Sequence, residues 1–456
     1  MSALEQTIPE GYKQTEIGAI PNSWEAIRFG DVVNYIKGYP FKSSEYTDSG
    51  IRIVRVSDTS FTSIKNENPI FVSKSSKHKY KKWALKQDDL IFTTVGSKPP
   101  MYDSLVGKAI LVEDKHDGFL LNQNAVLIKP KLKAKNISHL LLNHFRTDRY
   151  INHIEKIYRG NANQASITLD GLFEFKIPLP NDPKEQTAIA NALSDVDALL
   201  TELENLLAKK QAIKTATMQQ LLTGKTRLPQ FAIDAEGKKQ GQPKGTKPSE
   251  LGEIPVDWEV QTIGDISTID PDNLGATTPS DYEFEYISIE QVSGGKLHGT
   301  TRVKFQDAPS RARRVLQKGD VLLSTVRPNL KSHLYIRNNV VNLICSTGFS
   351  VIRSNNKGLH PELIFHHLFC HIINNQIDML ISGSNYPAIN STDVKNLKVA
   401  IGSVEEQIAI ATILSDMDNE IQTLEQRLTK SRQIKKGMMQ ELLTGRTRLP
   451  ICTEAK

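Results

Sequence analysis

A chain of 456 residues, 39% of them hydrophobic, is long enough for two or three packed domains and has the apolar content of a globular protein. Its net charge of +6 permits phosphate binding without requiring it, and its three cysteines, Cys345, Cys370 and Cys452, fit neither a disulfide framework nor a Cys-x-x-Cys zinc site. No stretch approaches the roughly 18 consecutive apolar residues of a membrane span, and the opening MSALEQTIPEGYK has no apolar leader core, so a cytoplasmic protein with no membrane partner is expected.

The first distinctive segment, TEIGAIPNSWEAIRFGDVV from Thr15, carries Trp24 and Asp31. Behind it come the short β-like runs IRIVRV, DDLIFTTV and AVLIKP and an amphipathic helix near 137–157, a mixture that predicts an α+β domain. This body offers polar side chains suited to nucleic acid. The run KSSKHKYKKW sets Lys74, Lys77, Lys79, Lys81 and Lys82 around Tyr80; such lysines suit phosphates, and a solvated face is the alternative reading. The loop TTVGSKPP follows a predicted strand, and its Gly96, Ser97 and Lys98 allow close approach to a backbone. Asn122, Gln123 and Asn124 form an amide cluster before AVLIKP, and Asn and Gln are the side chains that pair bidentately with adenine. Arg159, Asn161, Asn163 and Gln164 lie in the Gly-bearing loop YRGNANQASIT.

From Lys184 the pattern changes. Ile189, Leu193, Val196, Leu200, Leu203 and Leu207 keep a four-three spacing that lays one stripe along a helix of about 39 residues, roughly 58 Å long, opened by Pro183 and stopped by Gly224. The following PQFAIDAEGKKQGQPKGTKPSELG, rich in Gly, Pro, Lys and Gln, reads as a mobile crossover linker. Then the chain starts again. SELGEIPVDWEVQTIGDIS from Ser249 repeats the opening, with Trp258 and Asp265 in the places of Trp24 and Asp31. A second body follows with strands YEFEYISI, DVLLSTV and FSVIR and a helix near 361–380. It offers Arg311, Arg313 and Arg314 in SRARRV, and Arg327, Asn329 and Lys331 in the RPNLK loop, where arginine suits guanine edges as well as phosphates. Ser384, Asn385 and Tyr386 occupy the place that Asn161 and its neighbours hold in the first half. FHHLFCH spaces His366 from Cys370 and His367 from His371 by four residues, but the aligned LNHFRTD keeps only one of these, so no bound metal is expected.

The last segment, EEQIAIATILSDMDNEIQTLEQRLTKSRQIKKGMMQELLTGRTRLP from Glu405, matches KEQTAIANALSDVDALLTELENLLAKKQAIKTATMQQLLTGKTRLP from Lys184 without a gap. Its stripe is Ile410, Leu414, Met417, Ile421, Leu424 and Leu428, and Gly445 follows it. A rod this long cannot bury its stripe on one small domain, so the two copies are expected to pair as an antiparallel coiled coil with the two bodies at opposite ends. Catalytic signatures are missing: there is no GxxxxGK[ST] loop, and KPPM from Lys98 has neither the amide nor the aromatic of a methyltransferase element. The carboxylates of LSDVD and LSDMD sit on the heptad helices as a solvated face or a partner contact.

The paired IPNSW and IPVDW, EQTAIA and EQIAIA, LSDVD and LSDMD, and LLTGKTRLP and LLTGRTRLP, all in register, make the chain resemble the specificity subunit of type I restriction-modification systems over nearly its whole length. The resemblance implies a first target-recognition domain at 1–180, a central conserved helix at 181–224, a linker at 225–248, a second target-recognition domain at 249–402, a distal conserved helix at 403–445 and a tail at 446–456. It implies a non-catalytic reader of double-stranded DNA whose two domains each read half of a bipartite site, while the helices set the spacer. It also implies two modification subunits docked on the helices and restriction subunits that translocate and cut. No cofactor is expected in this chain; S-adenosylmethionine, ATP and Mg would belong to the partner subunits. Without the resemblance, the heptads alone would also suit a coiled-coil scaffold lacking DNA specificity.

Overall fold

Two 39-residue helices dominate the chain, Pro183–Leu221 (the central helix) and Val404–Leu442 (the distal helix). In this computed structural model the described residues are 8–161, 164–234, 240–355, 358–381 and 387–450. Both helices run into a left-handed glycine, Gly224 at φ +69° and Gly445 at φ +71°, a conformation that strains any residue bearing a β-carbon. A β-carbon would also collide, 2.4 Å from Pro255 Cδ at Gly224 and 2.5 Å from Pro21 Cγ at Gly445.

These contacts reveal an exchange between the halves. The chain forms two compact units, one from the residues up to Glu204 with those from Gln426 onward, the other from Asn205 to Glu425. Each unit therefore combines the body of one half with the helix end of the other. Within the first unit Asp197 pairs with Lys435 and Glu204 with Arg432; within the second Lys210 pairs with Glu420 and Lys214 with Asp418. As one number rises the other falls, so the helix segments pack antiparallel in each unit. The second aspartates of LSDVD and LSDMD thus hold lysines of the neighbouring helix, which corrects the expectation of a solvated face or partner contact.

The stripe supplies the packing. Ile189 and Leu193 enter the first unit's core beside Leu442 and Leu443, and Ile410 and Leu414 enter the second beside Leu221 and Leu222. Each fully buried side chain of this size contributes about 1.5–3 kcal/mol.

Each body has the same pair of sheets. In the first, Leu90–Thr93 lies antiparallel between Ala109–Leu111 and Ala125–Pro130, the latter also pairing with Val33–Lys37, while Ile51–Val54 runs parallel to Leu120–Leu121. In the second, Val321–Ser324 lies antiparallel between Leu334–Tyr335 and Phe349–Ser354, the latter pairing with Ser267–Ile269, while Glu283–Ile287 runs parallel to Leu343–Ser346. The α+β expectation and every strand named from sequence are present. Each single helix anticipated in the bodies is instead two, Ile137–His144 with Asp148–Ile157 and Pro361–His367 with His371–Ile381. In the first body Thr147 causes the restart: its hydroxyl donates to the His144 carbonyl and accepts from the Tyr150 amide.

The tryptophan openings become strands that close each body. Trp24–Arg28 pairs with Lys176–Pro180, and Glu259–Thr262 pairs with Lys398–Ile401. Described parts of the linker are ordered within the second unit: Asp234 N donates to Gln242 O at 2.9 Å, and Lys244 pairs with Asp257 at 2.7 Å. In those described parts the polar composition reflects exposure more than freedom. Among the described residues no helix is long and apolar enough to cross a membrane.

Candidate nucleic-acid interface

Three distant segments of the first body meet where the strand Leu90–Thr93 ends. Thr94 N donates to Asn124 O at 2.8 Å, and Ile167 N donates to Thr94 O at 3.0 Å. Beyond Thr94 the strand Val95–Gly96 pairs with Gln164–Ser166, which forms a hairpin with Arg159–Asn161. Asn124 sits at φ +66°, a conformation asparagine tolerates better than most residues. Buried Lys108, its ammonium pushed down to about 8 by burial, donates to the carbonyls of Thr59 and Asp103 and ties down the loop after Lys98.

The lysine run joins this surface through aromatic rings. Gln123 N donates to Tyr39 O at 3.0 Å, the Tyr39 ring lies 4.5 Å from Trp83, and Trp83 Nε1 donates to Lys37 O at 3.0 Å. A cleft of about 590 Å³ among these segments is lined by Tyr35, Lys37, Thr94, Gln123, Asn124 and Asp170. Lys74, Lys77, Lys81, Lys82, Lys98, Gln123, Asn124, Arg159, Asn161 and Gln164 are exposed and Asn122 is half-buried. Asn163 lies outside the described residues.

Three candidates of the first body do other work. Tyr80, 1% exposed, packs with Tyr39, Phe41 and Trp83, and its hydroxyl donates to Glu45 at 2.6 Å. Tyr80, expected among the DNA-facing side chains, is instead the anchor that seats the run. Lys79 pairs with Glu45 at 2.8 Å; with the Tyr80 hydroxyl it holds the Glu45 carboxyl down at about 2. Ser97 is buried and accepts from the Ser104 hydroxyl at 2.8 Å.

The second body repeats the junction with different side chains. Thr325 N donates to Gly348 O at 2.9 Å, Ile389 N to Thr325 O at 2.9 Å, and Arg327 N to Pro387 O at 2.8 Å. Thr347 N donates to Arg311 O at 2.8 Å, which brings SRARRV to the same place. The turn Pro328–Leu330 is flanked by Arg327 and Lys331 at φ +49° and +54°. Both are long cationic residues in a conformation that strains any residue bearing a β-carbon. Buried His333 supports the loop: its Nδ1 accepts from Ser324 N at 3.2 Å, which requires a neutral ring protonated on Nε2. Burial pushes that ring down to about 3.

Arg311, Arg327 and Asn329 are exposed and Lys331 is half-buried. Arg314 is a correction: it pairs with Asp270 at 2.9 Å and donates to Asn273 at 3.0 Å, bracing the body's interior. Arg313 lies over the Phe305 ring at 4.8 Å. Ser384, Asn385 and Tyr386 lie outside the described residues. Of the histidine cluster, His366 faces Ser415 at 3.2 Å and Cys370 Sγ donates to Gln219 at 3.3 Å.

A family model described as the type I restriction modification DNA specificity domain matches twice, over residues 21–215 and 255–434. The chain belongs to this family. Two relatives from Methanocaldococcus jannaschii, named as the MjaX and MjaVIII type I restriction enzyme specificity subunits, are 27% and 25% identical. The alignments span 96% of this chain with 97% of the first relative, and 96% of this chain with 96% of the second. The crystal structure of the type I restriction-modification system S subunit from M. genitalium has the same fold, with a TM-score of 0.59 at 15% identity, covering 92% of this chain and 96% of that one.

Each copy of the specificity domain contributes one of the two junctions. Superposing them by hydrogen bonds sets Asn124 against Gly348, and hence Asn122-Gln123-Asn124 against Ser346-Thr347-Gly348. It likewise sets Gly96-Ser97-Lys98 against Arg327-Pro328-Asn329. Sequence reasoning missed Thr94, Thr325 and Thr347. The signal was present in the matched strands LIFTTV and VLLSTV, each ending in Thr-Val.

Proposed function

We propose that the chain is the non-catalytic DNA-reading subunit of a type I restriction-modification complex, each junction reading one half of a split target on double-stranded DNA. The observation that carries this reading is one backbone frame used twice with unlike side chains at its exposed tips. Amides at 122–124 suit adenine edges, arginine at 327 suits guanine, and the lysines of 74–82 suit phosphates. A scaffold would have no use for a matched backbone frame that carries exposed amides in one copy and an exposed arginine in the other. Modification and restriction subunits would supply the methyl transfer and cleavage, with S-adenosylmethionine, ATP and Mg bound on them.

Exchanging residues 35–180 for the same segment of another family member is expected to change one half of the methylated motif and leave the other half intact, read by methylome sequencing of a host carrying the complex. A change in both halves, or in neither, contradicts the assignment. Binding should also weaken steeply between low and physiological salt, as phosphate contacts require.

The helices would set the unread gap. Four residues inserted near Ala208 add about 6 Å of helix, just under two base-pair steps, so the gap in the methylated motif should change while both half-sites stay the same. An unchanged gap in an active complex would refute the ruler.

A further inference from the structure

The first unit holds a cavity of about 730 Å³ away from the reading junction, lined by the hairpin at Ile17–Ile20, the restart at Arg146–Arg149 and the end of the distal helix. Its lining is basic: Arg146, Arg149, Arg432, Lys435, Lys436 and Arg446, with Asp148 as the lining carboxylate. Arg432 and Lys435 are neutralised by Glu204 and Asp197. Arg146 and Arg149 are different. Arg146 Nε and Arg149 Nη1 are buried and have no hydrogen-bond partner among the described residues, and Arg149 rests on the Phe175 ring at 5.0 Å. Burial pushes both guanidinium groups down from their usual range, with the nearby Asp197 carboxylate partly opposing it at Arg146.

Leaving such groups buried without an acceptor is costly, and the fold does not demand it. In the second unit the aligned positions are Phe369 and Ile372. There Gln219, the counterpart of Gln440 in the cavity lining, accepts from the His371 backbone and ring and from Cys370. The shared architecture is therefore built without cations at the two positions of Arg146 and Arg149. Arg146, Arg149, Lys436 and Arg446 against Asp148 leave an excess of positive charge, which favours a multiply charged anion. Planar guanidinium forks fit phosphate oxygens in pairs. Ile20, Pro178, Met439 and Leu443 give the same cavity an apolar wall, and its size falls in the range of small-molecule sites, about 300–1,000 Å³.

We propose that this cavity binds a phosphate-bearing small molecule of up to mononucleotide size, with Arg146 and Arg149 holding the phosphate and the apolar wall taking the remainder.

The test is calorimetric titration of the full chain with inorganic pyrophosphate and, separately, with ATP without metal. Saturable one-to-one binding is expected, weakened about tenfold or more by Arg146→Gln or Arg149→Gln, the loss of a charge-assisted contact. The exposed variants Lys436→Ala and Arg446→Ala should weaken it to a lesser degree and leave folding intact, which keeps the test valid if a buried variant misfolds. Tighter binding of ATP than pyrophosphate assigns a nucleotide; equal binding assigns free phosphate, and both support the site. No saturable binding of either probe up to about 10 mM, affinity unchanged in the arginine variants, or displacement of the probe by a duplex lacking the target would overturn it. DNA reading by the junctions would survive that failure.

Discussion

Lowering the pH from 7 to 5 is expected to destabilise the second unit more than the first. Burial holds His333 and His366 down at about 3 and His367 at about 4 in the second unit and lowers His360 as well, whereas in the first it holds His144 at about 3 and lowers His116, His139 and His153 by less. The nearby charges of Lys331, Lys214 and Arg149 add to burial at His333, His366 and His144. An unfolded histidine titrates near 6.5, so below that pH the unfolded chain takes up protons that the folded one refuses. The stability these rings permit is complete above about 6.5 and is lost as pH falls toward their folded values. At pH 5 each ring held at about 3 to 4 costs about 2 kcal/mol, hence about 6 kcal/mol from the three in the second unit against about 2 from the one in the first, with the smaller shifts of the other histidines adding to both units. Hydrogen exchange resolved by segment at the two pH values would measure this, and equal losses in both units would count against it. The Arg327–Lys331 loop is implicated too, since a protonated His333 can no longer accept from Ser324.

Arg227→Met is expected to be the most damaging single change at a helix end. Arg227 grips Glu406 through two hydrogen bonds of 2.9 and 2.6 Å, and Trp258 Nε1 donates to the same carboxylate at 2.9 Å. Both side chains are nearly buried, 8% and 2% exposed, so removing the arginine strands a carboxylate out of water. That costs roughly 3–5 kcal/mol, and pairing it with Glu406→Met should recover most of the loss by removing the stranded charge as well. The repeat contains its own control. Arg448 grips Glu185 with two bonds of 2.7 Å, but Arg448 is 46% exposed, so water can replace it and Arg448→Met should cost clearly less. Urea midpoints of the variants decide the matter; equal losses at the two sites would remove burial as the cause.

Local pattern carried much of this structure. Strands such as LIFTTV and FSVIR announce themselves by β-branched and aromatic residues, and the four-three stripes predict both long helices to within a few residues. Side-chain roles set by distant partners were not legible. Tyr80 counted among the DNA-facing side chains until Tyr39, Phe41 and Glu45 closed around it. Asp197 and Asp418 read as solvent-facing because their lysines lie more than 200 residues away. Arg314 in SRARRV was grouped with its neighbours by sequence, yet past the bulge between Ala312 and Arg314 its side chain meets Asp270. The junctions themselves were half visible: the amides at 122–124 stood out, while Ser346-Thr347-Gly348 carried no signal until the backbone bonds aligned them.

The swapped helix ends bear on how damage to the gene would be felt. Gly445 and Arg448, near the carboxyl end, pack on Pro21 of the first body and on Glu185 at the start of the central helix, and the Tyr12 hydroxyl donates to Gly445 O at 2.7 Å. A premature stop at about codon 426 would therefore spare the second body and strip the first of its supporting rod. Truncation at one terminus would blind the reader encoded at the other.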